Sequence, residues 1–332
     1  MLTTLAGSLP ILLVLGSLPL ALPAGAQQAQ VSAASGDSQA IAPWLVRHQA
    51  EDGRWKGDDV VGDIGVTALV LTAFAGDGNL PHVGPMKGPM RKGLQWLVAR
   101  QDADSGVFGS SLDDERGLLE HAWSTLLVSE LAFLDPEICG AGDNHRRAAK
   151  ALLAAQREDG SFGSDRATGW AAYALVSAKQ AGVDVPDDVL LRARRALVAS
   201  VSSEGPLEEL DVGPLALRAL IGFMVDDGSG SEGDAAANAA LARLVQAPDL
   251  WGRLDPEERM LVAYASYQAG GETWKRAQRE MKTEVLAFQQ RGTDEDPGGF
   301  PPEQGFGAER ATAFGALTLE VYYRYARILG AR

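Results

Sequence analysis

The feature that most constrains this chain is a short motif that recurs along it. Three copies read PWLVRHQAEDGRW, LQWLVARQDADSGVF and AAKALLAAQREDGSF. Each copy has a leucine four residues before a glutamine, and acidic residues, a glycine and an aromatic residue follow that glutamine. The glutamines, Gln49, Gln101 and Gln156, lie 52 and 55 residues apart. Self-similarity at such a period indicates a fold assembled from copies of one structural unit.

A weaker copy of the motif closes the chain. It reads EVLAFQQRGTDEDPGGF and contributes Gln290, Gly299 and Phe300. The 134 residues between Gln156 and Gln290 leave room for two degenerate copies, for which 188–225 and 236–270 are the candidates. The sequence therefore predicts six units.

Each unit contains two segments with helical character. The first, as in 86–101 and 273–290, mixes charged and apolar residues at helical spacing, which predicts a half-exposed outer helix. The second, as in GDIGVTALVLTAFAG, is apolar almost all round, which predicts a buried inner helix. No alternating run is long enough to indicate a sheet. We therefore predict an all-α fold, an (α/α)6 toroid of six helical hairpins with inner and outer rings, in one domain over 40–330.

The second copy of the motif carries a family resemblance. KGLQWLVARQDADSGVF resembles the QW motif of the prenyltransferase and squalene-oxidase repeat family, and the likeness extends over about 40–329. The matching positions are Lys92, Gly93, Trp96, Leu97, Gln101, Gly106 and Phe108, with Phe in place of the family's Trp. The resemblance implies a terpenoid cyclase-like α/α toroid. The closing stretch ATAFGALTLEVYYRYARIL looks like the last inner helix of uncharacterised secreted bacterial members.

We interpret the motif residues as structural. The ends of two consecutive helices leave unpaired carbonyl and amide groups, and a glutamine side chain can bond to both kinds of group. The aromatic residue that follows can cover that amide. The residues predicted to join neighbouring repeats are Gln49, Trp55, Gln101, Phe108, Gln156, Phe162, Gln290 and Phe300.

The chemistries that the resemblance implies can be checked against the residues. Triterpene cyclases of the family protonate their substrate through the middle Asp of a DxDD motif, which does not occur in this sequence. Protein prenyltransferases hold zinc through Asp, Cys and His, but this chain has one cysteine, Cys139, and four histidines without that spacing. The Cys-Gly-Glu-Gln thioester of complement-like toroids is also absent. We predict no metal and no cofactor, and the catalytic residues, if there are any, stay unknown.

Charge and the amino-terminal residues bear on partners and location. Forty-four acidic against 30 basic residues give a net charge of −14, and no basic stripe appears, so nucleic acid and anionic membrane surfaces are poor partners. The apolar segment 11–22, followed by Ala24, Gly25 and Ala26, predicts an export signal over 1–26 and leaves no stable membrane span after cleavage. Residues 27–39 form a leader rich in Gln, Ala and Ser. No Lys or Arg precedes the apolar segment, and a wrongly assigned start is the alternative that would supply the missing basic residues. We expect an exported, periplasmic or extracellular protein.

Candidate site residues lie where the turns into the inner helices converge, at the mouth of the predicted toroid. Acidic residues there have a simple structural explanation, because carboxylates cap helix N-termini. Aromatic residues near the axis could line a pocket for an apolar ligand or could fill the axis, and a lone arginine within an inner helix is costly to bury unpaired. The candidates for lining a cavity are His121, Trp123, Asp165, Arg166, Trp170, Tyr173, Arg218, Glu309, Arg310 and Phe314.

Three functions remain open on the sequence. The favoured one is a non-catalytic module that binds a protein, or a small apolar or glycan ligand. The second is a terpenoid cyclase-like enzyme that lacks the DxDD acid, for which the fold is the only support. The third is a carbohydrate-active enzyme, in which two mouth carboxyl groups about 5–10 Å apart would act as acid and base.

Overall fold

The structure is a computed structural model that describes residues 40–135, 143–228, 233–290 and 296–329, with the backbone only at 290 and 322–329. The predicted signal (1–26), the leader (27–39) and Cys139 lie outside the described residues.

Thirteen α-helices and no β-strand occur in these ranges, which confirms the all-α prediction. The helices are α1 Ile41–Arg47, α2 Asp63–Gly76, α3 Lys87–Val98, α4 Glu115–Leu134, α5 Asn144–Ala154, α6 Asp165–Gln180, α7 Asp187–Ser200, α8 Val212–Met224, α9 Ala235–Leu244, α10 Leu250–Arg253, α11 Pro256–Ala269, α12 Gly271–Gln290 and α13 Ala308–Leu329.

Six of the helices pack against one another in a closed cycle. The order is α2, α4, α6, α8, α11 and α13, and α13 packs back against α2. These are the segments that are apolar all round. In α2, for example, every residue from Gly65 to Gly76 is buried. A helix with no polar face needs neighbours on all sides, which the cycle supplies.

The other long helices and the short α1 lie outside this cycle. α3 packs on α2, α5 on α4 and α6, α7 on α6 and α8, α9 on α8 and α11, α12 on α11 and α13, and α1 on α13. Each buries one stripe, as α3 does with Met90, Gly93, Trp96 and Leu97. The two degenerate segments supply the pairs α7–α8 and α9–α11. Two concentric sets of six helices are compatible with an α/α toroid.

The repeated glutamines hydrogen-bond across the joints between units. Each donates from Nε2 to the carbonyl of the glycine in its own turn and to a carbonyl in the first turn of the next outer helix. The acceptors and distances are Gly53 (2.8 Å) and Pro89 (3.0 Å) for Gln49, Gly106 (2.9 Å) and Asn144 (2.9 Å) for Gln101, and Gly160 (3.0 Å) and Val189 (2.8 Å) for Gln156. In the closing copy the donor to the Gly298 carbonyl is Gln289, at 2.9 Å. The side chain of Gln290 lies outside the described residues.

The aromatic residue of each motif is anchored to the inner helix that follows it. Its backbone N–H donates to a side chain in the first turns of that helix, and its ring is buried. The pairs are Trp55 with Thr67 Oγ1 (3.0 Å), Phe108 with His121 Nδ1 (3.0 Å), Phe162 with Thr168 Oγ1 (2.9 Å) and Phe300 with Thr312 Oγ1 (2.8 Å). The turn between outer and inner helix is thereby fixed at both ends.

Candidate functional site

His121 is wholly buried, and both of its ring nitrogens are engaged. Nδ1 accepts from the Phe108 N–H at 3.0 Å, and Nε2 lies 3.0 Å from the Ala148 carbonyl. Since a backbone N–H can only donate and a carbonyl can only accept, the ring is neutral with its proton on Nε2. Burial lowers the pKa of His121 to about 4, although the Ala148 carbonyl acts to raise it. His121 therefore has no nitrogen free to bind a ligand or to transfer a proton.

The aromatic candidates form a cluster of rings in contact with one another. Trp123 of α4 meets Trp170 of α6 and Phe314 of α13 edge to face, with ring centroids 5.7 and 5.8 Å apart. Tyr173 stacks on Trp170 at 5.9 Å. α4 and α13 are the two neighbours of α2 in the cycle of inner helices, so the contact between Trp123 and Phe314 lies inside the ring, in front of α2. All four side chains are buried, and edge-to-face pairs of this kind are favourable. The rings thus occupy the space in which an apolar ligand would lie.

An ion pair inside the ring joins α6 to α11 next to these side chains. Arg166, at the start of α6, donates from Nε to Glu257 Oε1 at 2.8 Å and from Nη2 to Glu257 Oε2. The Trp170 Nε1 also donates to Glu257 Oε1, at 2.8 Å. Burial acts to lower the pKa of Arg166, but the charge and hydrogen bonds of Glu257 raise it above its ordinary value. Glu257 is not among the cavity-lining candidates, but the sequence places it, with Asp255 and Glu258, among the acidic residues at the predicted mouth. It lies in the first turn of α11, two residues after the cap Asp255.

A second ion pair joins the last unit to the first. Arg310 Nε lies 2.7 Å from Asp58 Oδ2, and the guanidinium stacks over Phe306 at 3.8 Å. Asp58, in the turn before α2, also accepts from the Gly307 N–H at 3.0 Å. Burial acts to raise the pKa of Asp58, yet its backbone hydrogen bonds and Arg310 lower it. The candidate Glu309, next to Arg310, is half-buried.

Four carboxyl groups gather at the starts of α6, α8 and α11. We call Asp165, Asp211, Asp255 and Glu258 the mouth carboxyl cluster. Asp165 accepts from Ser200 Oγ at 2.5 Å, while Asp255 and Glu258 form a capping box. Burial, followed by repulsion from Asp255, raises the pKa of Glu258 to about 7. Burial likewise raises the pKa of Asp211 and of Asp255, with Asp165 contributing at Asp211.

Arg218 faces away from the axis and has a partner. It donates from Nε and Nη2 to the two carboxylate oxygens of Asp234, at 2.7 and 3.1 Å, and from Nη1 to the Val201 carbonyl at 2.6 Å. Asp234 caps α9 by accepting from the Ala237 N–H at 3.0 Å. The charge that looked isolated on α8 is therefore paired, and it fixes the start of α9 to α8.

Arg218 instead lies at the base of a surface groove between α7 and the start of α9. The groove has a volume of about 610 Å³ and lies outside the ring of inner helices. Leu191, Val198 and Ala236 supply apolar walls, and Arg194 and Arg195 lie beside Arg218. None of the candidates except Arg218 lines it. Neither the repeat motif nor the helical pattern pointed to this groove, because α7 and α9 belong to different units.

Neither a cluster of metal-ligating side chains nor a membrane-spanning helix is found in the described ranges. No three or more His, Cys, Asp or Glu side chains there are grouped so as to hold a metal ion. Across the same ranges, every helix is too short or too polar to span a bilayer.

Comparison with known proteins bears on the fold. No protein-family model matches the sequence, and no curated protein matches it. A solved structure described as "Crystal structure of a protein from Actinoplanes" is similar to it, with 17% sequence identity and a TM-score of 0.54. The similarity covers 90% of this chain and 100% of that chain. At this identity the likeness shows a shared helical fold and nothing about activity.

Proposed function

We propose that the chain is an exported toroid of the prenyltransferase and squalene-oxidase repeat type that acts as a non-catalytic binding module. The repeat assignment is supported by the three glutamines that join each motif turn to the next outer helix. Export is supported by the apolar segment 11–22 and the small residues that follow it. The ligand is a protein, or a small apolar or glycan molecule.

The observation that carries the proposal is the contact between Trp123 of α4 and Phe314 of α13 inside the ring of inner helices. An enzyme of this architecture would hold its substrate between the inner helices, and here that space contains side chains. Next to the rings, Arg166 is paired with Glu257 and Arg310 with Asp58. A terpenoid substrate would have to displace packed rings and two buried ion pairs, and the sequence has no DxDD acid. Binding at an outer surface requires neither change.

Native mass spectrometry of the purified chain, followed by solvent extraction, tests the proposal. We expect the mass of the protein without a bound lipid. A Trp123→Ala variant provides the positive control, because removing a buried indole leaves an apolar cavity of the kind that binds small aromatic molecules such as benzene. A stoichiometric isoprenoid that the wild-type chain binds and converts to a new product would overturn the proposal of a non-catalytic module.

A carbohydrate-active enzyme is the second candidate, and the mouth carboxyl cluster favours it. A carboxyl group with a pKa of about 7, as at Glu258, has the protonation state that a general acid needs near neutral pH. Incubation with a panel of soluble polysaccharides, with reducing ends measured from pH 5 to 8, tests this. Activity that is lost in Glu258→Gln but kept in Glu272→Gln, a change on the outer helix α12, would favour the enzyme over the binding module.

A further inference from the structure

The groove between α7 and α9 has the size and the lining of a binding site. Its volume of about 610 Å³ lies within the range of roughly 300–1,000 Å³ that is usual for ligand sites. Val198 on its wall is 45% exposed, and of the four exposed large apolar side chains in the described residues it alone lies on an outer helix. The wall thus offers an apolar contact that no described part of the chain covers.

The base of the groove is rigid and nearly neutral. Arg194 donates to the Val225 carbonyl at 2.5 Å and pairs with Asp227 at 2.9 Å, while Arg218 pairs with Asp234. Both arginines are 7% exposed. Burial acts to raise the pKa of Asp234, but Arg218 and the Ala237 N–H lower it, so the pair with Arg218 stays ionised near neutral pH. These two arginines are paired with groups of the protein itself, so neither guanidinium is free to bind a ligand.

Arg195 is different from its two neighbours. Its side chain is exposed on α7, and within the described residues it has no ion pair or hydrogen bond. Among the described residues that line the groove, three arginines against two aspartates leave one positive charge uncompensated. A planar guanidinium pairs well with a carboxylate, so Arg195 can bind an acidic side chain that reaches the groove.

We propose that this groove docks an acidic segment of another protein, which places an apolar side chain against Val198 and a carboxylate at Arg195. This inference rests on the proposed binding function and names its partner. A small inorganic anion would leave the apolar wall unused, and a purely apolar ligand would leave Arg195 unpaired. A peptide that presents both groups at adjacent positions satisfies the two together.

Panning a random heptapeptide library displayed on phage against the purified chain tests the proposal. We expect enriched peptides with Asp or Glu next to an aliphatic or aromatic residue. In fluorescence anisotropy, Arg195→Glu and Val198→Asp should each weaken the binding of those peptides by about tenfold or more. Arg195→Lys, which keeps the charge, should bind more tightly than Arg195→Glu. Raising the ionic strength should narrow the difference in affinity between the wild-type chain and Arg195→Glu.

Matched controls separate the groove from the rest of the surface. Arg91→Glu changes an exposed arginine on the outer helix α3, and Val83→Asp changes a valine that is 49% exposed. Both should leave the dissociation constant within about twofold. All the changes are at exposed side chains, and circular dichroism checks that each variant keeps its fold.

The experiments can contradict the proposal about the groove without contradicting the proposed binding function, and the reverse. A lack of enrichment, or enriched peptides without acidic residues, would overturn the proposal that the groove docks an acidic segment. Peptides that bind Arg195→Glu as tightly as the wild-type chain would also overturn it while leaving a binding module. Conversion of a bound isoprenoid to a new product would remove the proposed non-catalytic function without changing the peptide measurements.

Discussion

At the residue scale, His121 occupies on α4 the position that Thr67, Thr168 and Thr312 occupy on α2, α6 and α13. All four accept a hydrogen bond from the backbone N–H of a motif aromatic. The histidine also hydrogen-bonds to the Ala148 carbonyl on the next outer helix, so it links α4, the motif turn and α5. A histidine beside an acidic residue at a helix start resembles a catalytic pair in the sequence, but its second bond depends on a helix 27 residues away.

His121 should make the fold sensitive to acid. The unfolded imidazole takes up a proton near pH 6.5 and the folded one only near pH 4, so stability is lost as pH falls through that window. The loss amounts to about 3 kcal/mol, since one pKa unit corresponds to about 1.4 kcal/mol. Chemical denaturation of wild type and His121→Gln at pH 7 and pH 4 measures it. The glutamine can form both hydrogen bonds without titrating, and an equal loss in both proteins would contradict the prediction.

Glu258 should make the stability of the fold depend on pH in the opposite direction. Its folded pKa of about 7 lies above the ordinary value of 4.5, so its stabilising contribution is complete below pH 4.5 and is lost as pH rises through 7. Glu258→Gln keeps an acceptor for the Asp255 N–H without the charge, and its melting temperature should exceed that of wild type at pH 8 but not at pH 4.5. In the control Glu272→Gln, the substituted carboxyl has a pKa lowered by its hydrogen bond from Lys275, so no gain at pH 8 should follow.

At the scale of elements, the repeat motif is a joint between two helices and a turn. The glutamine hydrogen-bonds to the next outer helix, and the buried aromatic residue is anchored to the inner helix that follows. The glycine allows the chain to reverse direction close to the next outer helix. Gly106 shows why a side chain is excluded there. Its φ is +78°, and a Cβ would lie 2.5 Å from the Arg147 carbonyl oxygen on α5.

Gly106→Ala should therefore destabilise the protein by more than the ordinary cost of the left-handed conformation. Gly182 provides the matched control, because its φ is +83° but a Cβ there would meet nothing within 4 Å. We expect about 1 kcal/mol for Gly182→Ala from the backbone conformation, and at least about 2 kcal/mol more for Gly106→Ala from the displaced helix. Urea unfolding gives both values, and equal values would show that α5 moves aside without cost.

At the scale of the whole molecule, the ring of inner helices closes through α13 and α2. The ion pair of Arg310 with Asp58 lies at this closure and links residues that are far apart in the sequence. Removing one member of a buried pair leaves the other charge uncompensated, which typically costs about 3–5 kcal/mol.

Asp58→Asn should thus lower the unfolding free energy by about 3 kcal/mol in the wild-type background and by much less beside Arg310→Met. The asparagine has one carbonyl oxygen in place of two carboxylate oxygens, so it also loses an acceptor, either for the Gly307 N–H or for the Val60 and Val61 N–H groups. That loss is common to both backgrounds, so a double-mutant cycle followed by urea denaturation measures the coupling to Arg310. Glu272→Gln breaks an exposed pair with Lys275 and should have little effect. Additive effects of Asp58→Asn and Arg310→Met would show that the pair does not hold the ring closed.

The sequence by itself determined the helices, the outer and inner classes of helix and the repeated joints, because these depend on local periodicity and on groups a few residues apart. Only the tertiary structure decided how the charges and rings are used. Arg166 meets Glu257 at a separation of 91 residues, and Trp123 meets Phe314 inside the ring of inner helices. Arg218 has a partner, Asp234, that no local pattern marks. The groove beside Arg195 exists only because α7 and α9, from different units, lie next to α8. Burial and pairing depend on which segments meet in space, and helical periodicity carries no information about that.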